Sequence, residues 1–435
     1  MSEHFVVKGF AGKRTLSGSI SVRGAKNAAL KGIAASILFR TPVSFTNVPE
    51  IEDVSRMLEI VRTMGGSASF NDHCAAVDAS TLSETTITPE IAKRLRASIV
   101  LTGPVLARFG KAKFPHPGGC VIGERPIDLF IEGFEKMGAR VKRSGKFYDI
   151  RAEGGVLRGA ELFFRTQSVT GTETFMMAAV LAKGETVIKN AAMEPEIVWL
   201  AELLNASGAR ITGAGTPSVT IRGGKLLAAP KKPFHVIPDR IEAGSFLILG
   251  ALAAKKLVVR DIVPEHLESL IELLEYTGAH LTRSASAITV FAPPKAKPFR
   301  PVSVRTHEYP GFPTDLQAPM MVYLTQGEGE SMVFETIFEG RLNFTESLNR
   351  MGANITMMDP HRVLVKGATA LRGRELESPD LRAGLAFVVA AVVADGTSEI
   401  NNVYNIDRGY ERVEERLRTI GVNIIRKGGE KKGSA

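Results

Sequence analysis

Six segments of the chain share one order of apolar and polar positions: an amphipathic helical stretch, a glycine, and an alternating run typical of a β-strand. In the first copy, Val54, Met57, Leu58 and Val61 recur at helical spacing and form one apolar stripe. A glycine after a helix suits the left-handed conformation in which helices often end. Successive glycines lie 73, 70, 70, 74 and 69 positions apart, at Gly65, Gly138, Gly208, Gly278, Gly352 and Gly421. This period predicts six repeats of about 70 residues.

A second helical stretch, rich in small and apolar residues, precedes each amphipathic one. Residues 25–39, 172–182 and 242–254 are examples with few charges, so we predict that these helices are buried on most sides. An apolar segment such as VSFTNV at 43–48 joins the two helices, and we interpret it as a turn. The second helix carries its charges on one face, and we expect it to lie on the outside.

The chain has 435 residues, more than one hydrophobic core usually supports, so we predict two domains of three repeats each. Its composition, 44% hydrophobic and 23% charged, is ordinary for a globular protein. No apolar signal segment opens the chain, and its longest apolar stretches, 243–254 and 383–394, are too short to cross a bilayer. We therefore expect a cytoplasmic protein without membrane association.

The net charge of +9 suggests an anionic partner, either nucleic acid or a small phosphorylated substrate, although a generally basic surface would give the same charge. The one dense basic cluster is the C-terminal tail, and we predict that residues 427–435 are disordered. Two cysteines, Cys74 and Cys120, argue against a disulfide framework. The eight histidines lack HExxH or HxxxH spacing, so we predict no metal site and no cofactor.

The starts of the small-residue helices carry the candidate chemistry. Charged or hydroxyl residues recur there, in the segments GAKN, RLRAS, SVTGTE, DRIEAGS, PTDLQ and PDLRAG. A helix N-terminus is an anion site, although ordinary capping would explain any one of these starts. Lys26, Arg96 and Arg382 fall at the same repeat position, where core helices rarely place cations, and this favours anion binding. If three repeats surround an axis, their helix N-termini converge on one surface.

The second repeat departs from the pattern between residues 111 and 130, where glycine and proline are frequent. This composition is typical of a mobile surface loop that carries functional residues. Basic residues such as Arg125 flank Cys120 and favour a reactive thiolate, while a partly buried, inert thiol is the alternative. Cys74, in an alternating strand segment, is interpreted as inert.

Ten segments, taken in order, resemble the enolpyruvyl transferase family, and within it the enzymes that act on UDP-N-acetylglucosamine. They are RGAKNAAL, LRAS, GGCVIGERPIDL, SVTGTE, EPEI, PDRIEAG, FPTDLQA, FEGRL, DLRAG and IDRGYER. The resemblance covers the chain up to the basic tail. It implies an α/β fold with an inside-out α/β barrel in each of two domains, as in EPSP synthase. One domain would span 23–237 with the catalytic loop, and the other 1–22 plus 238–435.

The implied reaction moves the enolpyruvyl group of phosphoenolpyruvate onto the 3′-hydroxyl of UDP-N-acetylglucosamine and releases phosphate, by addition followed by elimination. It is the first committed step of peptidoglycan precursor synthesis. Such chemistry needs a base at the sugar hydroxyl, an acid at C3 of phosphoenolpyruvate, and fixed cations for its phosphate and carboxylate.

The resemblance also assigns roles to single residues. Asp315 matches the carboxylate on the sugar hydroxyl, and Cys120 matches the thiol that supplies the proton, which implies sensitivity to fosfomycin. With them, Lys26 and Arg408 complete the implied catalytic set. The residues implied for phosphoenolpyruvate are Lys26, Asn27, Cys120, Arg125, Arg341, Asp380, Arg382 and Arg408. Those implied for UDP-N-acetylglucosamine are Asn27, Arg96, Arg125, Pro126, Ile127, Asp128, Leu129, Ser168, Val169, Thr170, Asp315 and Ile337.

Two positions depart from the family's pattern: Phe130 stands where many relatives carry His, and Trp199 where Asp is common. Three alternatives remain. EPSP synthase shares the fold but uses another acceptor, and the GGC loop with RPIDL speaks against it. An RNA-processing or RNA-binding protein is disfavoured by 7% aromatic residues and the lack of a concentrated basic patch. A paralogue with a specialised nucleotide role stays open, although every matched reacting residue is present.

Overall fold

The computed structural model describes residues 3–115, 127–293 and 298–429, without the side chains of Ile91, Lys93, Arg94 and Arg96. These residues form two compact units. The split unit comprises Met1–Arg23 and Pro238–Ala435, and the continuous unit comprises Gly24–Cys120 and Glu124–Ile237, within the described ranges. Each unit has its own hydrophobic core.

Helices and strands alternate along the chain. The α-helices are α1 Lys26–Ala35, α2 Glu52–Thr63, α3 Pro89–Arg94, α4 Thr102–Phe109, α5 Asp128–Lys136, α6 Val169–Ala179, α7 Pro195–Ala206, α8 Arg240–Ala253, α9 Glu268–Thr277, α10 Gln317–Thr325, α11 Thr345–Arg350, α12 Leu381–Val393, α13 Tyr404–Asp407 and α14 Val413–Thr419. Short 3₁₀ helices cover Ser36–Leu38, Arg96–Leu101, Glu153–Gly155, Pro264–Leu267, Thr314–Leu316 and Glu339–Leu342.

The strands are short. They are β1 His4–Lys8, β2 Leu16–Ser21, β3 Val43–Thr46, β4 Ser67–Asn71, β5 Cys74–Asp78, β6 Lys111–Pro115, β7 Ala139–Ser144, β8 Phe147–Ala152, β9 Glu161–Phe163, β10 Glu185–Lys189, β11 Arg210–Thr212, β12 Ser218–Arg222, β13 Phe234–His235, β14 Ala254–Arg260, β15 His280–Arg283, β16 Ala287–Phe291, β17 Val304–Arg305, β18 Gly329–Phe334, β19 Ile355–Asp359, β20 Arg362–Gly367, β21 Glu375–Glu377, β22 Thr397–Asn401 and β23 Asn423–Lys427.

Each repeat contributes most of the strands of one small sheet. In the sheet ordered β11-β12-β10-β9, the parallel pair β9 and β10 is joined by the buried helix α6, and the hairpin β11–β12 adds antiparallel strands. Within the described residues there are five four-stranded sheets and one three-stranded sheet, ordered β6-β8-β7. No strands close into a barrel there. Helices packed inside separate sheets confirm the predicted inside-out α/β arrangement.

The six predicted landmark glycines all end helices in the left-handed conformation. Their φ angles run from 81° at Gly138 to 105° at Gly352. The small-residue helices are buried as predicted: every residue of α12 is buried, and so is α8 from Ile241 to Ala253. Sequence periodicity therefore located both the helix ends and the core.

The predicted apolar turn at 43–48 is wrong, because most of it is strand β3. Val43 and Phe45 are buried and pair with Val77 and Ala75 of β5. The parallel partner of β3 is β13, almost 190 residues further along the chain. A four-residue strand with so distant a partner leaves no periodic signal that distinguishes it from an apolar turn.

The first strands of the chain complete sheets of the split unit. Strand β1 lies between β22 and β23, where Phe5 is opposite both Ile400 and Arg426. Strand β2 pairs in parallel with β14. The last strand ends at Lys427, opposite His4, so regular structure extends one residue into the predicted disordered tail. No helix in the described part of the chain has the length and apolar character to span a bilayer.

Candidate active site

In the split unit, Asp315 forms ion pairs with two arginines. Its Oδ1 lies 2.8 Å from Arg341 Nη2, and its Oδ2 lies 2.7 Å from Arg382 Nη2 and 3.0 Å from Arg382 Nε. Both arginine side chains are 6% exposed, whereas that of Asp315 is 25% exposed. The carboxylate is therefore held by two buried cations and keeps an accessible side.

Arg382 is fixed from several directions. It belongs to the first turn of α12, where the N-cap carboxylate of Asp380 accepts hydrogen bonds from the backbone N–H groups of Arg382 and Ala383. Its Nη1 donates to the hydroxyl of Tyr410 over 2.9 Å. Burial lowers the pKa of Arg382, but Asp315, Tyr410 and Asp239 together more than offset this, so the pKa of Arg382 lies above its ordinary value. The guanidinium is permanently charged.

Three helix starts meet around this cluster, as the repeat predicts. Asp239 caps α8 by accepting from the backbone N–H groups of Ile241 and Glu242. The carboxylate of Asp239 also raises the pKa of Arg382 at the start of α12. Asp315 lies in the 3₁₀ turn that leads into α10. The positive ends of three helices and two arginines therefore share one carboxylate-rich surface.

Arg341 has further partners besides Asp315. Its Nη1 donates to Thr314 Oγ1 over 2.8 Å, and its guanidinium lies over the ring of Phe338 at 5.2 Å. Thr314 Oγ1 in turn donates to the buried carboxylate of Glu335 over 2.8 Å. Ile337, predicted to contact the nucleotide sugar, donates its backbone N–H to the same Glu335 over 2.8 Å.

Arg408 directly follows α13 and is partly buried. Its neighbour Asp407 accepts from Arg426 Nη2 over 2.7 Å and from Arg426 Nη1 over 2.9 Å. Glu414 accepts from Arg426 Nε over 2.7 Å. This pairing fixes the end of α13 and so the backbone from which Arg408 projects.

In the continuous unit, Lys26 and Asn27 open helix α1. The ammonium of Lys26 lies 3.2 Å from Oδ2 of Asp53, a residue of the first turn of α2 that is 3% exposed. Gly24 precedes them, and a Cβ at Gly24 would overlap the carbonyl oxygen of Asn47. The close approach of these backbones therefore requires glycine and sets the start of α1.

A second predicted group in the continuous unit is brought together at the start of α6. Ser168 caps this helix by accepting from the backbone N–H of Gly171 over 3.0 Å, and Val169 and Thr170 form its first turn. A Cβ on Gly171 would lie 2.7 Å from Leu129 Cδ2, so the two segments are in contact. Ile127 is buried before α5, and Asp128 is exposed at its first position.

The continuous unit also buries an ion pair. Lys31 Nζ of α1 lies 2.9 Å from Glu173 Oε2 of α6, and the two side chains are 6% and 0% exposed. Burial raises the pKa of Glu173 to about 7, Lys31 opposes that shift, and Glu196 and Glu194 add to it. Glu173 therefore titrates near neutral pH inside the core.

Several predicted residues cannot be placed. Cys120, Arg125 and Pro126 lie outside the described residues, as does the side chain of Arg96. In the described part of the chain, no group of three His, Cys, Asp or Glu side chains could hold a metal ion.

Both departures from the family's pattern lie in the core. Phe130 packs against Phe175 with ring centroids 6.2 Å apart. Trp199 is 2% exposed and donates its Nε1–H to the carbonyl of His235 over 2.7 Å. Both aromatic rings therefore belong to the hydrophobic core of the continuous unit.

Sequence reasoning missed Thr314, Glu335, Tyr410 and Asp53 as functional residues. For Glu335 a signal existed, because Ser331, Val333 and Glu335 alternate on the buried side of the strand pattern. A carboxylate at an inward position implies dedicated donors. For the pair of Lys26 and Asp53, no local pattern connects the two residues.

A family model and solved structures first define the class of enzyme to which this chain is similar. Residues 10–417 match the family model described as EPSP synthase (3-phosphoshikimate 1-carboxyvinyltransferase). The enolpyruvyl transferase NikO from Streptomyces tendae has the same fold, with a TM-score of 0.86 and 23% identity over 99% of this chain and 100% of that one. EPSP synthase from Acinetobacter baumannii has a TM-score of 0.73 and 18% identity over 98% and 100%.

Curated relatives narrow the class. The UDP-N-acetylglucosamine 1-carboxyvinyltransferase of Desulfatibacillum aliphaticivorans is 43% identical over 95% of this chain and 98% of its own length. That of Halothermothrix orenii is 43% identical over 97% and 98%. The chain therefore belongs to the UDP-N-acetylglucosamine 1-carboxyvinyltransferase family of enolpyruvyl transferases, and the resemblance seen in the sequence is confirmed.

Proposed function

We propose that the protein is a transferase that moves the enolpyruvyl group of phosphoenolpyruvate onto the 3′-hydroxyl of UDP-N-acetylglucosamine, in peptidoglycan synthesis. Full-length relatives that carry this activity in their names support the proposal. The observation in the structure that carries it is the partly exposed carboxylate of Asp315 between two buried arginines. A fixed anionic base beside cationic groups is what abstraction of a hydroxyl proton near phosphoenolpyruvate requires.

Asp315 would accept the proton of the sugar hydroxyl as that oxygen bonds to C2 of phosphoenolpyruvate. An ionised carboxylate has about four acceptor sites; Arg382 donates two hydrogen bonds to it, and Arg341 forms an ion pair with it at 2.8 Å. Because Arg341 and Arg382 are almost fully buried, we propose that their first task is to hold Asp315 ionised and oriented. Their contacts with the carboxylate of phosphoenolpyruvate remain predictions.

Lys26 and Arg408 would bind the phosphate, with Arg125 from the loop, and Cys120 would protonate C3. Elimination then removes phosphate, and the proton on C3 is lost again to restore the double bond. Ser168, Val169 and Thr170, with Leu129 beside them, would bind the nucleotide at the positive end of α6. Asp380 would act through the backbone of Arg382, which it caps.

The choice of acceptor is tested by phosphate release from phosphoenolpyruvate. We expect release with UDP-N-acetylglucosamine and none above background with shikimate 3-phosphate. Release with shikimate 3-phosphate alone would overturn the proposed acceptor in favour of an EPSP synthase activity. Release with neither acceptor would leave the specialised paralogue as the better reading.

The role of Cys120 is tested with fosfomycin. We expect inactivation of the wild-type enzyme together with a single modification that peptide mass spectrometry locates at Cys120. Cys120→Asp should keep measurable turnover and resist inactivation. Cys74→Ser removes the exposed cysteine of β5 and is the matched control, which should stay fully sensitive. Full activity of the wild type after prolonged exposure would contradict this role.

We further propose that the two compact units are the two predicted domains, that the protein acts in the cytoplasm, and that its partners are these two small molecules rather than nucleic acid or membrane. Fractionation of cells that express the full chain tests the location. A gel-shift titration with RNA at physiological salt tests the excluded partner, and tight, saturable binding would contradict it.

A further inference from the structure

Thr314 has one hydroxyl hydrogen and two charged neighbours. Its oxygen lies 2.8 Å from a carboxylate oxygen of Glu335 and 2.8 Å from Nη1 of Arg341. A carboxylate only accepts hydrogen bonds and a guanidinium only donates them. The hydrogen of Thr314 must therefore point to Glu335, and a lone pair of the hydroxyl faces Arg341.

Glu335 is itself buried and hydrogen-bonded through both its backbone and its side chain. It is 0% exposed, its backbone N–H donates to the carbonyl of His361 over 2.8 Å, and its own carbonyl lies 2.7 Å from His361 Nδ1. Its Oε1 accepts from Ile337 N at 2.8 Å, Thr306 Oγ1 at 3.1 Å and Phe338 N at 3.2 Å. For Oε2, the partner that the structure shows is Thr314.

We propose that Glu335 and Thr314 are positioning residues for the enolpyruvyl transfer, in which Glu335 fixes the polarity of the Thr314 hydroxyl so that Arg341 is held against Asp315. The chain of contacts runs from Glu335 through Thr314 and Arg341 to Asp315. The same carboxylate holds the backbone of Ile337, the residue predicted to contact the nucleotide sugar. The role in turnover rests on the proposed function, whereas the effect on geometry does not.

Glu335→Gln provides a specific test because the two carboxylate oxygens accept hydrogen bonds from different donors. The amide oxygen can replace Oε1 and keep the donors from Ile337, Phe338 and Thr306. The amide NH₂ then faces Thr314 and makes its hydroxyl an acceptor. The hydroxyl hydrogen then loses the acceptor that oriented it, and nothing keeps a lone pair of the hydroxyl directed at Arg341. One isosteric change thus removes the group that orients a single hydroxyl.

Thr314 offers two further variants. Thr314→Val keeps the shape of the side chain and removes the hydroxyl, while Thr314→Ser keeps the hydroxyl and should rescue function. Thr277→Val is the matched control, because Thr277 is also a buried threonine of the split unit whose hydroxyl lies 2.7 Å from Tyr323. Removal of the Thr277 hydroxyl affects the core around Tyr323 and leaves the contacts of Asp315 in place.

Crystal structures of the variants are the first measurement. We expect the 2.8 Å contact between Arg341 Nη2 and Asp315 Oδ1 to be lost in Thr314→Val and kept in Thr314→Ser and Thr277→Val. An unchanged contact in Thr314→Val overturns the proposal, whatever the enzyme's activity. A wild type that does not turn over its two substrates would instead refute the proposed function.

Kinetics are the second measurement. A hydrogen bond to a charged group contributes enough that its loss in Thr314→Val or Glu335→Gln should lower kcat about 10- to 100-fold. The KM for UDP-N-acetylglucosamine should stay within about threefold for Thr314→Val, since Glu335 and Arg341 already engage this hydroxyl. Thr314→Ser and Thr277→Val should stay near the wild type. Equal losses in Thr314→Ser and Thr314→Val, or in Thr277→Val and Thr314→Val, would show a merely structural role.

Discussion

The guanidinium of Arg382 approaches the carboxylate of Asp315 side-on, with Nε and Nη2 both bonded to Oδ2 at 3.0 and 2.7 Å. Arg382 is buried beneath that carboxylate and Asp315 is partly exposed above it. Residues from two different repeats thus form one ion pair, in which the cation is buried and the anion is partly exposed.

Arg382→Ala should destabilise the protein by about 3–5 kcal/mol, because removal of one partner leaves the other charge of a largely buried pair uncompensated. Urea unfolding monitored by circular dichroism measures the loss. Arg362→Ala is the control, since Arg362 pairs with Asp359 at the surface with 51% and 30% of the two side chains exposed. We expect that change to cost no more than about 1 kcal/mol. Similar losses for both variants would contradict the distinction.

Asp315→Asn should lower kcat by about 10²- to 10⁴-fold, the usual contribution of a general base. The amide keeps an acceptor for one arginine but cannot take up the hydroxyl proton. Phosphate release gives kcat, and calorimetric titration with UDP-N-acetylglucosamine gives the affinity, which should change much less. A large loss of affinity with turnover preserved would assign Asp315 to binding instead.

Glu173 predicts a pH effect on stability. Because burial raises the pKa of Glu173 from 4.5 to about 7, the folded state favours its protonated form. Its contribution is fully present below about pH 4.5 and is lost as pH rises through 7. Glu173→Gln mimics the protonated form, so the free energy of unfolding of the variant minus that of the wild type should rise between pH 4.5 and 8, by at most about 3 kcal/mol.

Chemical denaturation at several pH values measures this difference. Glu185→Gln is its control, because Glu185 is an exposed strand residue paired with Arg222 and should give a nearly flat difference. A flat difference for Glu173→Gln as well would show that the buried carboxylate stays ionised throughout, held by Lys31.

Gly103→Ala should destabilise the continuous unit by about 1–3 kcal/mol, the usual cost of overpacking a core. A Cβ at Gly103 in α4 would overlap the backbone carbonyl of Thr174 in α6, which cannot move without displacing its helix. Gly224→Ala is the comparison, because the nearest atom to its Cβ lies 3.9 Å away. Thermal unfolding of the two variants should differ by several degrees, and equal midpoints would contradict the close approach of α4 and α6.

The sequence contains the features of this fold that depend on local chemistry. The glycine at the end of each amphipathic helix could be predicted from the sequence, because other residues rarely adopt a positive φ. All six of these glycines have a positive φ in the structure. Strand β3 could not be predicted from the sequence, because it pairs with β13 at the other end of the continuous unit. Short strands acquire their identity from partners that only the folded chain supplies.

The candidate site divides in the same way. The pattern of helix starts pointed to the segments that contain Asp315 and Ser168, and the family resemblance assigned the two residues their roles. That Arg341 and Arg382 both turn toward Asp315 was not predicted, since the three residues come from separate segments. Thr314 was missed because a neutral hydroxyl has no evident role until its partners are known, whereas the inward position of Glu335 was a signal that was not used.

Because β1 lies between β22 and β23, both of its edges can pair only after those two strands have been synthesised. Phe5 is made about 420 residues before its partner Arg426. At roughly 5–20 residues per second, the nascent chain spends tens of seconds with β1 unpaired while the continuous unit is already complete. A truncated transcript or a nonsense mutation that ends translation before β22 would leave this apolar strand without either neighbour. We therefore expect the truncated protein to aggregate or to be degraded.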